Sequence, residues 1–192
     1  MRRSLQHKHL PKSPCKPTGR IDLISKREGS MTAHIMTPAE VLSTYWRHGT
    51  LPVDPVSIAQ AAGIEVIPFS PGKCEGASGE YIPTGPSGRP VIHYNPTENI
   101  NRIRFTVAHE LGHHFLRHGR RMRDTREVIG NRNDFYEVSA NRFAADILMP
   151  KDYVSILINQ RNVTSVAELS HILGVSTSAM DYRLKNLGYY SF

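Results

Sequence analysis

The sequence is poor in cysteine and has no long apolar run, and both shortages narrow the class of protein. Cys15 and Cys74 are the only cysteines among 192 residues, which excludes the disulfide framework of small secreted domains. No apolar run approaches the ~20 residues that span a bilayer, and no apolar signal segment follows the basic N-terminus. These absences predict a reduced, cytoplasmic protein.

The positive charge of the chain is concentrated in its first 30 residues. The net charge is +7, and residues 1–30 hold eight Lys and Arg against two acidic residues, a net +6. The remaining 16 basic and 15 acidic residues leave residues 31–192 close to neutral. Attraction of nucleic acid or a membrane surface is therefore expected only of the tail, and nucleic-acid binding is not expected of the domain.

Three parts are predicted along the chain. Residues 1–30 combine Pro and Gly with few large apolar residues, which predicts a disordered basic tail. That tail is either a functional arm or a segment upstream of a true start at Met31 or Met36. Residues 31–162 are predicted to form the main domain, and residues 163–192 a C-terminal subdomain of two short helices. The sequence carries no signal for the oligomeric state.

Helix and strand patterns in the domain predict an α+β fold. Thr37, Pro38 and Glu40 favour a helix start, and this helix is expected to run to about Arg47. Further helices are predicted over about 56–62, 101–118, 134–149 and 150–159, and strands over 64–68, 76–82 and 90–94. The Gly-Pro-Ser-Gly turn at 85–88 favours a hairpin between the last two strands. We therefore expect a small antiparallel sheet.

The segment His109-Glu110-Leu111-Gly112-His113 lies inside the predicted helix 101–118. Residues four apart share one face of a helix, so His109 and His113 can present two imidazole nitrogens to one metal ion. Glu110 can take a proton from water at that site, because zinc lowers the pKa of a bound water toward roughly 7. Gly112 indicates close approach of another backbone or room for a ligand. The pattern predicts one catalytic zinc ion.

The next helix supplies a candidate for the third ligand that a catalytic zinc ion usually has. Glu137 lies on an otherwise apolar, alanine-rich face, where an unpaired carboxylate is costly. Asn141 follows one turn later and is expected to accept a hydrogen bond from the far ring nitrogen of His109 or His113. His114 and His118 are expected to be ordinary helix residues.

Residues 104–114 and 137–150 together resemble the ImmA/IrrE family of metallopeptidases, and the likeness extends over about residues 37–188. It implies a zincin-like fold, zinc held by His109, His113 and Glu137, and Glu110 as general base. Glu137 with Asn141 is similar to the ligand-and-orienter pair of gluzincins, although many relatives carry a second Glu at the place of Ser139. The likeness also implies cleavage of a protein partner, a helix-turn-helix repressor of a mobile element or stress response encoded nearby.

Residues 166–187 are predicted to form two helices joined at 173–176, similar to a helix-turn-helix unit. The second helix would carry Met180, Tyr182, Arg183 and Lys185 toward DNA, whereas the alternative is a packing unit that completes the domain. The near-neutral charge favours packing, because phosphate contacts dominate affinity for DNA. Beside the zinc endopeptidase, two function hypotheses stay open: a regulatory or DNA-binding protein with a structural metal, and a toxin of a two-gene module.

Overall fold

The computed structural model describes residues 34–46, 49–70, 76–119 and 132–189. Its helices are α1 Pro38–Tyr45, α2 Pro55–Ala61, α3 Ile100–Phe115, α4 Arg132–Leu148, α5 Lys151–Asn159, α6 Val166–Leu173 and α7 Thr177–Asn186, and its strands are β1 Glu65–Pro68, β2 Gly79–Ile82 and β3 Val91–Tyr94. The predicted basic tail and both cysteines lie outside the described residues. Within those residues, no helix is both long enough and apolar enough to cross a bilayer.

Short helices begin where side chains cap their free backbone N–H groups. At α1, the Thr37 hydroxyl accepts from the Glu40 N–H, and the Glu40 carboxylate accepts from the Thr37 N–H at 2.7 Å. This reciprocal pair is the predicted capping box, although α1 ends at Tyr45 rather than at Arg47. At α2 the Asp54 side chain accepts from the Val56 N–H, and at α7 the Ser176 side chain accepts from the Ala179 N–H. Because these bonds join residues within one turn, the helix starts could be predicted from the sequence.

The sheet is mixed and has the strand order β1-β3-β2. β2 and β3 pair antiparallel, as the hairpin turn predicts, but β1 pairs parallel to β3 with Glu65 opposite Val91. The predicted α+β class is confirmed, and the prediction of an antiparallel sheet is wrong for β1. A hairpin is specified by its local turn, whereas the partner and direction of β1 are set by long-range packing.

Helix α3 lies between two hydrophobic clusters and contributes to both. Val107, Leu111 and Phe115 pack into the first cluster, and Ala108 packs into the second. Helix α4 does the same, with Phe143 and Ile147 in the first cluster and Ala144 and Leu148 in the second. The two helices that carry the predicted site are therefore held from both sides by well-packed cores.

Two arginines fasten the C-terminal helices α6 and α7 to the site helices. Arg183 of α7 is 8% exposed, pairs with Asp146 of α4 at 2.7 Å and donates to the Met149 carbonyl. Arg104 of α3 donates to the carbonyl of Gly174, the residue between α6 and α7, at 3.0 Å. Arg183 and Met180, which the sequence offered for DNA contact, are thus buried. The helix-turn-helix likeness and the boundary at 162/163 stay predictions.

Candidate metal centre

Three side chains from α3 and α4 converge on one point. His109 Nε2 and His113 Nε2 are 3.0 Å apart. Glu137 places one carboxylate oxygen 3.2 Å from His109 Nε2 and the other 3.5 Å from His113 Nε2. The structure thus brings together the three side chains that the sequence nominated as metal ligands, and each offers one ligand atom to a common position.

The size of this cluster suits a small tetrahedral cation. Ligand atoms held about 2.0–2.1 Å from a tetrahedral zinc ion lie about 3.3 Å from one another. The closest contacts between the three side chains, with a different Glu137 oxygen toward each histidine, run from 3.0 to 3.5 Å. The two imidazoles are 16% and 10% exposed, whereas the Glu137 side chain is 47% exposed. The cluster is therefore closed on its histidine side and open to solvent on its carboxylate side.

Asn141 determines which ring nitrogen of His109 carries the proton and which has a free lone pair. The Asn141 Oδ1 atom lies 3.0 Å from His109 Nδ1. An amide oxygen only accepts, so Nδ1 carries the proton and Nε2 presents its lone pair toward His113 and Glu137. An ionised carboxylate is also an acceptor. Lone pairs that converge in this way repel one another unless a cation lies between them. This set of ligand atoms therefore fits a metal ion.

A close helix crossing at Gly112 lets α4 reach over α3. A Cβ atom at Gly112 would lie 3.0 Å from the Cα atom and 3.2 Å from the carbonyl oxygen of Ala140. The structure therefore confirms the predicted close approach of another backbone at Gly112. Glu137 precedes Ala140 by one turn and Asn141 follows it directly, so this crossing brings both side chains to the histidines.

The Glu110 side chain projects from α3 toward Gly79, the first residue of β2. Glu110 is only 8% exposed. A Cβ atom at Gly79 would lie 3.2 Å from Glu110 Oε1 and 3.0 Å from the His93 carbonyl oxygen. Only glycine permits β2 to pass so near, and the strand in turn confines the Glu110 carboxylate.

His114 joins β2 to α3 one turn beyond Glu110. Its Nδ1 atom lies 2.8 Å from the Tyr81 hydroxyl. Burial, together with the charge of Arg117, lowers the pKa of His114 to about 4, and burial raises the pKa of Tyr81. Both groups are therefore neutral at pH 7. The contact fixes the strand on the helix, and His114 supplies no atom to the ligand cluster among the described residues.

The prediction that His118 is an ordinary helix residue is wrong. Helix α3 ends at Phe115, and Arg117 adopts a left-handed conformation with φ 59°. The His118 N–H then bonds back to the His113 carbonyl at 3.0 Å, which is the chain reversal of a Schellman motif. This turn returns the His118 ring to His113, with the two Nδ1 atoms 3.0 Å apart. No sequence signal indicated it, because the reversal puts a residue other than glycine, Arg117, in the left-handed conformation.

Comparison with known proteins places the chain among peptidases. The family model described as the IrrE N-terminal-like domain, peptidase M78, matches residues 59–185. The chain belongs to the M78 peptidase family. The matched range includes the whole ligand cluster together with Glu110, Asn141 and His118. The resemblance to ImmA/IrrE metallopeptidases is thereby confirmed, and an M78 metallopeptidase is expected to hold a metal at this His-His-Glu cluster.

The chain is also similar to one curated metallopeptidase and to one solved structure. The chain is 27% identical over 103 residues to Metallopeptidase ImmA of Bacillus subtilis (strain 168), which is 53% of this chain and 59% of that relative. The chain thus matches less than two thirds of the relative's length. A solved structure, a Mycobacterium tuberculosis transcriptional regulator, superposes with a TM-score of 0.53 at 16% identity and covers 77% of this chain and 46% of that one. That likeness concerns the fold alone.

Proposed function

We propose that this M78 protein is a zinc-dependent endopeptidase that cleaves a partner protein. In this proposal His109, His113 and Glu137 hold the zinc ion, Glu110 is the general base, and Asn141 orients His109. The observation that carries it is the convergence of three metal-ligating side chains, whose closest contacts with one another are 3.0–3.5 Å. Glu110, a buried residue, directly follows His109 on α3.

Zinc, when bound, supplies a Lewis acid that lowers the pKa of water toward roughly 7. Glu110 adjoins His109 in the chain, and its carboxylate takes the proton of the attacking water and passes it to the leaving amine. Gly79 and α3 confine this carboxylate, so it needs little rearrangement to reach the proton. Asn141 keeps the proton of His109 on Nδ1, so that Nε2 stays a ligand atom.

The position of β2 supports an extended protein segment as the substrate. In the described part of the sheet, β2 is an outer strand, and its first residue, Gly79, lies against Glu110. Backbone groups on the outer side of such a strand can pair with an extended peptide. A peptide paired there would lie next to Gly79, the residue of β2 that lies against the proposed general base, Glu110. From the ImmA/IrrE resemblance, we propose a helix-turn-helix repressor of a mobile element or stress response, encoded nearby, as the partner.

The decisive variant is Glu110→Gln, which keeps the shape of the side chain but removes the base. We expect cleavage of the neighbouring repressor to fall about 10²–10⁴-fold, while bound zinc stays at the wild-type level. Glu168→Gln is the matched control, because Glu168 is exposed on α6, and it should cleave normally. Undiminished cleavage by Glu110→Gln contradicts the proposal, as does a zinc-loaded wild type that cleaves neither the repressor nor casein.

The DNA-binding alternative gains no support from α7. Arg183 and Met180 are buried, and Lys185 forms an ion pair with Asp181 at 2.6 Å. The exposed surface of α7 therefore offers few cations to phosphate groups, which normally supply most of the affinity. A gel-shift assay with the promoter region beside the gene should show no sequence-specific complex.

A further inference from the structure

We infer that His118 and Ser139 fix the proton of His113 on Nδ1 and so act as positioning residues for metal binding. The inference rests on the proposed metal centre, because it concerns one of the three ligands. His118 follows the chain reversal at the end of α3, and Ser139 lies on α4 two residues after the third ligand, Glu137. Neither residue contributes an atom to the ligand cluster itself.

The direction of the hydrogen bonds is set by a backbone carbonyl on α4. The Ser139 hydroxyl lies 2.9 Å from the Tyr136 carbonyl oxygen, which can only accept, so the hydroxyl proton is donated there. The lone pairs of Ser139 Oγ are then available to His118 Nε2 at 3.4 Å, the longest contact of the series. In the arrangement that we infer, His118 Nε2 donates its ring proton to this oxygen.

The same logic continues to the ligand. A neutral imidazole carries one proton, so a His118 ring protonated on Nε2 has an accepting Nδ1. His113 Nδ1 lies 3.0 Å from that atom and must be the donor. His113 then carries its proton on Nδ1 and presents an unprotonated Nε2 to His109 and Glu137, which is the form that a metal ligand needs.

The two histidine ligands thus have separate supports, both of which originate on α4. Asn141 binds His109 Nδ1 directly, whereas Ser139 acts on His113 through His118. The residues that provide these supports flank Ala140, where α4 crosses Gly112. Loss of such a partner of a ligating histidine typically weakens metal affinity about 10–100-fold.

The test measures the zinc dissociation constant by chelator competition in four variants of the full chain. His118→Asn keeps an accepting oxygen close to the position of Nδ1 and should stay within about threefold of wild type. His118→Leu has no acceptor and should bind zinc about 10–100-fold more weakly. Ser139→Ala removes the hydroxyl oxygen that accepts from His118 Nε2 and should weaken zinc binding by up to about tenfold. His171→Leu, an exposed histidine on α6, is the control and should be unchanged.

The thermal midpoint of each metal-free protein in EDTA separates positioning from structural damage. We expect the His118 and Ser139 variants to unfold within a few degrees of wild type, so that the loss is specific to the metal. Equal weakening by Asn and Leu at position 118 overturns the inference, and so does wild-type affinity in both His118→Leu and Ser139→Ala. Both results leave the proposed function intact. A wild-type chain that binds no zinc overturns the metal centre as well.

Discussion

Replacing Gly112 by alanine perturbs the crossing of α3 and α4 without touching any proposed ligand. The added methyl group would lie 3.0 Å from Ala140 Cα, 3.2 Å from its carbonyl oxygen and 3.3 Å from its Cβ. Carbon pairs reach their best separation at about 3.5–4.0 Å. Two of the three atoms belong to the backbone and cannot rotate away, so the helices must separate by about 0.5 Å to relieve the contacts.

The effect of Gly112→Ala on stability is expected to be modest. Alanine is favoured over glycine within a helix by about 1 kcal/mol, whereas overpacking of this kind costs about 1–3 kcal/mol. The free energy of unfolding should therefore fall by about 0–2 kcal/mol. The metal centre is far less tolerant, because ligand positions must hold to within about 0.2 Å. A shift of Glu137 relative to His109 and His113 should weaken zinc binding by about tenfold or more.

Two measurements on Gly112→Ala separate these effects: urea unfolding of the metal-free protein, and chelator competition for zinc. We expect a small change in the first and a large change in the second. Adding Ala140→Gly removes the 3.3 Å contact but leaves the two backbone contacts, so it should restore only part of the affinity. A Gly112→Ala protein that binds zinc within twofold of wild type would refute the reasoning.

Three further outcomes follow from the same contacts. Gly79→Ala places a methyl group against Thr106 and 3.0 Å from the His93 carbonyl oxygen, so β2 should shift off Glu110 and kcat/KM should fall about tenfold or more; an unchanged kcat/KM would contradict this. Arg183→Met removes the pair with Asp146, whose side chain is 31% exposed, and should cost about 1–3 kcal/mol in urea unfolding. Lys185→Met breaks only an exposed pair on the same helix and should cost less than about 0.5 kcal/mol; equal losses would count against the buried role of Arg183. Zinc at about 100 times its Kd should stabilise the wild type by about 2.7 kcal/mol and leave Glu137→Ala unshifted; the same shift in both proteins would show that the stabilising zinc binds elsewhere.

The features that the sequence predicted well depend on short-range geometry. Thr37 and Glu40 cap a helix within one turn, and His109 and His113 share a helix face because they are four residues apart. Glu137 could be nominated because a carboxylate on an apolar face needs a partner, although its side chain is 47% exposed in the structure and the cost of burial is therefore smaller than expected. In each case the deciding interaction lies within one or two turns of the same element, or follows from a general cost of burial.

The features that the sequence did not predict depend on contacts between distant segments. β1 pairs parallel to β3, across a connection that includes the whole of β2. His118 returns to His113 because Arg117 takes a left-handed backbone conformation, which residues other than glycine rarely adopt. Had α3 continued to residue 118, the His118 ring would have pointed away from His113, since residues five apart do not share a face.

Zinc K-edge X-ray absorption of the zinc-loaded protein tests the central claim most directly, because it reports the atoms bound to the metal. The account predicts two imidazole rings with Zn–N distances of about 2.0–2.1 Å, oxygen ligands at about 2.0–2.2 Å and no sulfur near 2.3 Å. It also predicts that the oxygen contribution decreases in Glu137→Ala. A sulfur ligand, or fewer than two imidazoles, would contradict a centre formed by His109, His113 and Glu137.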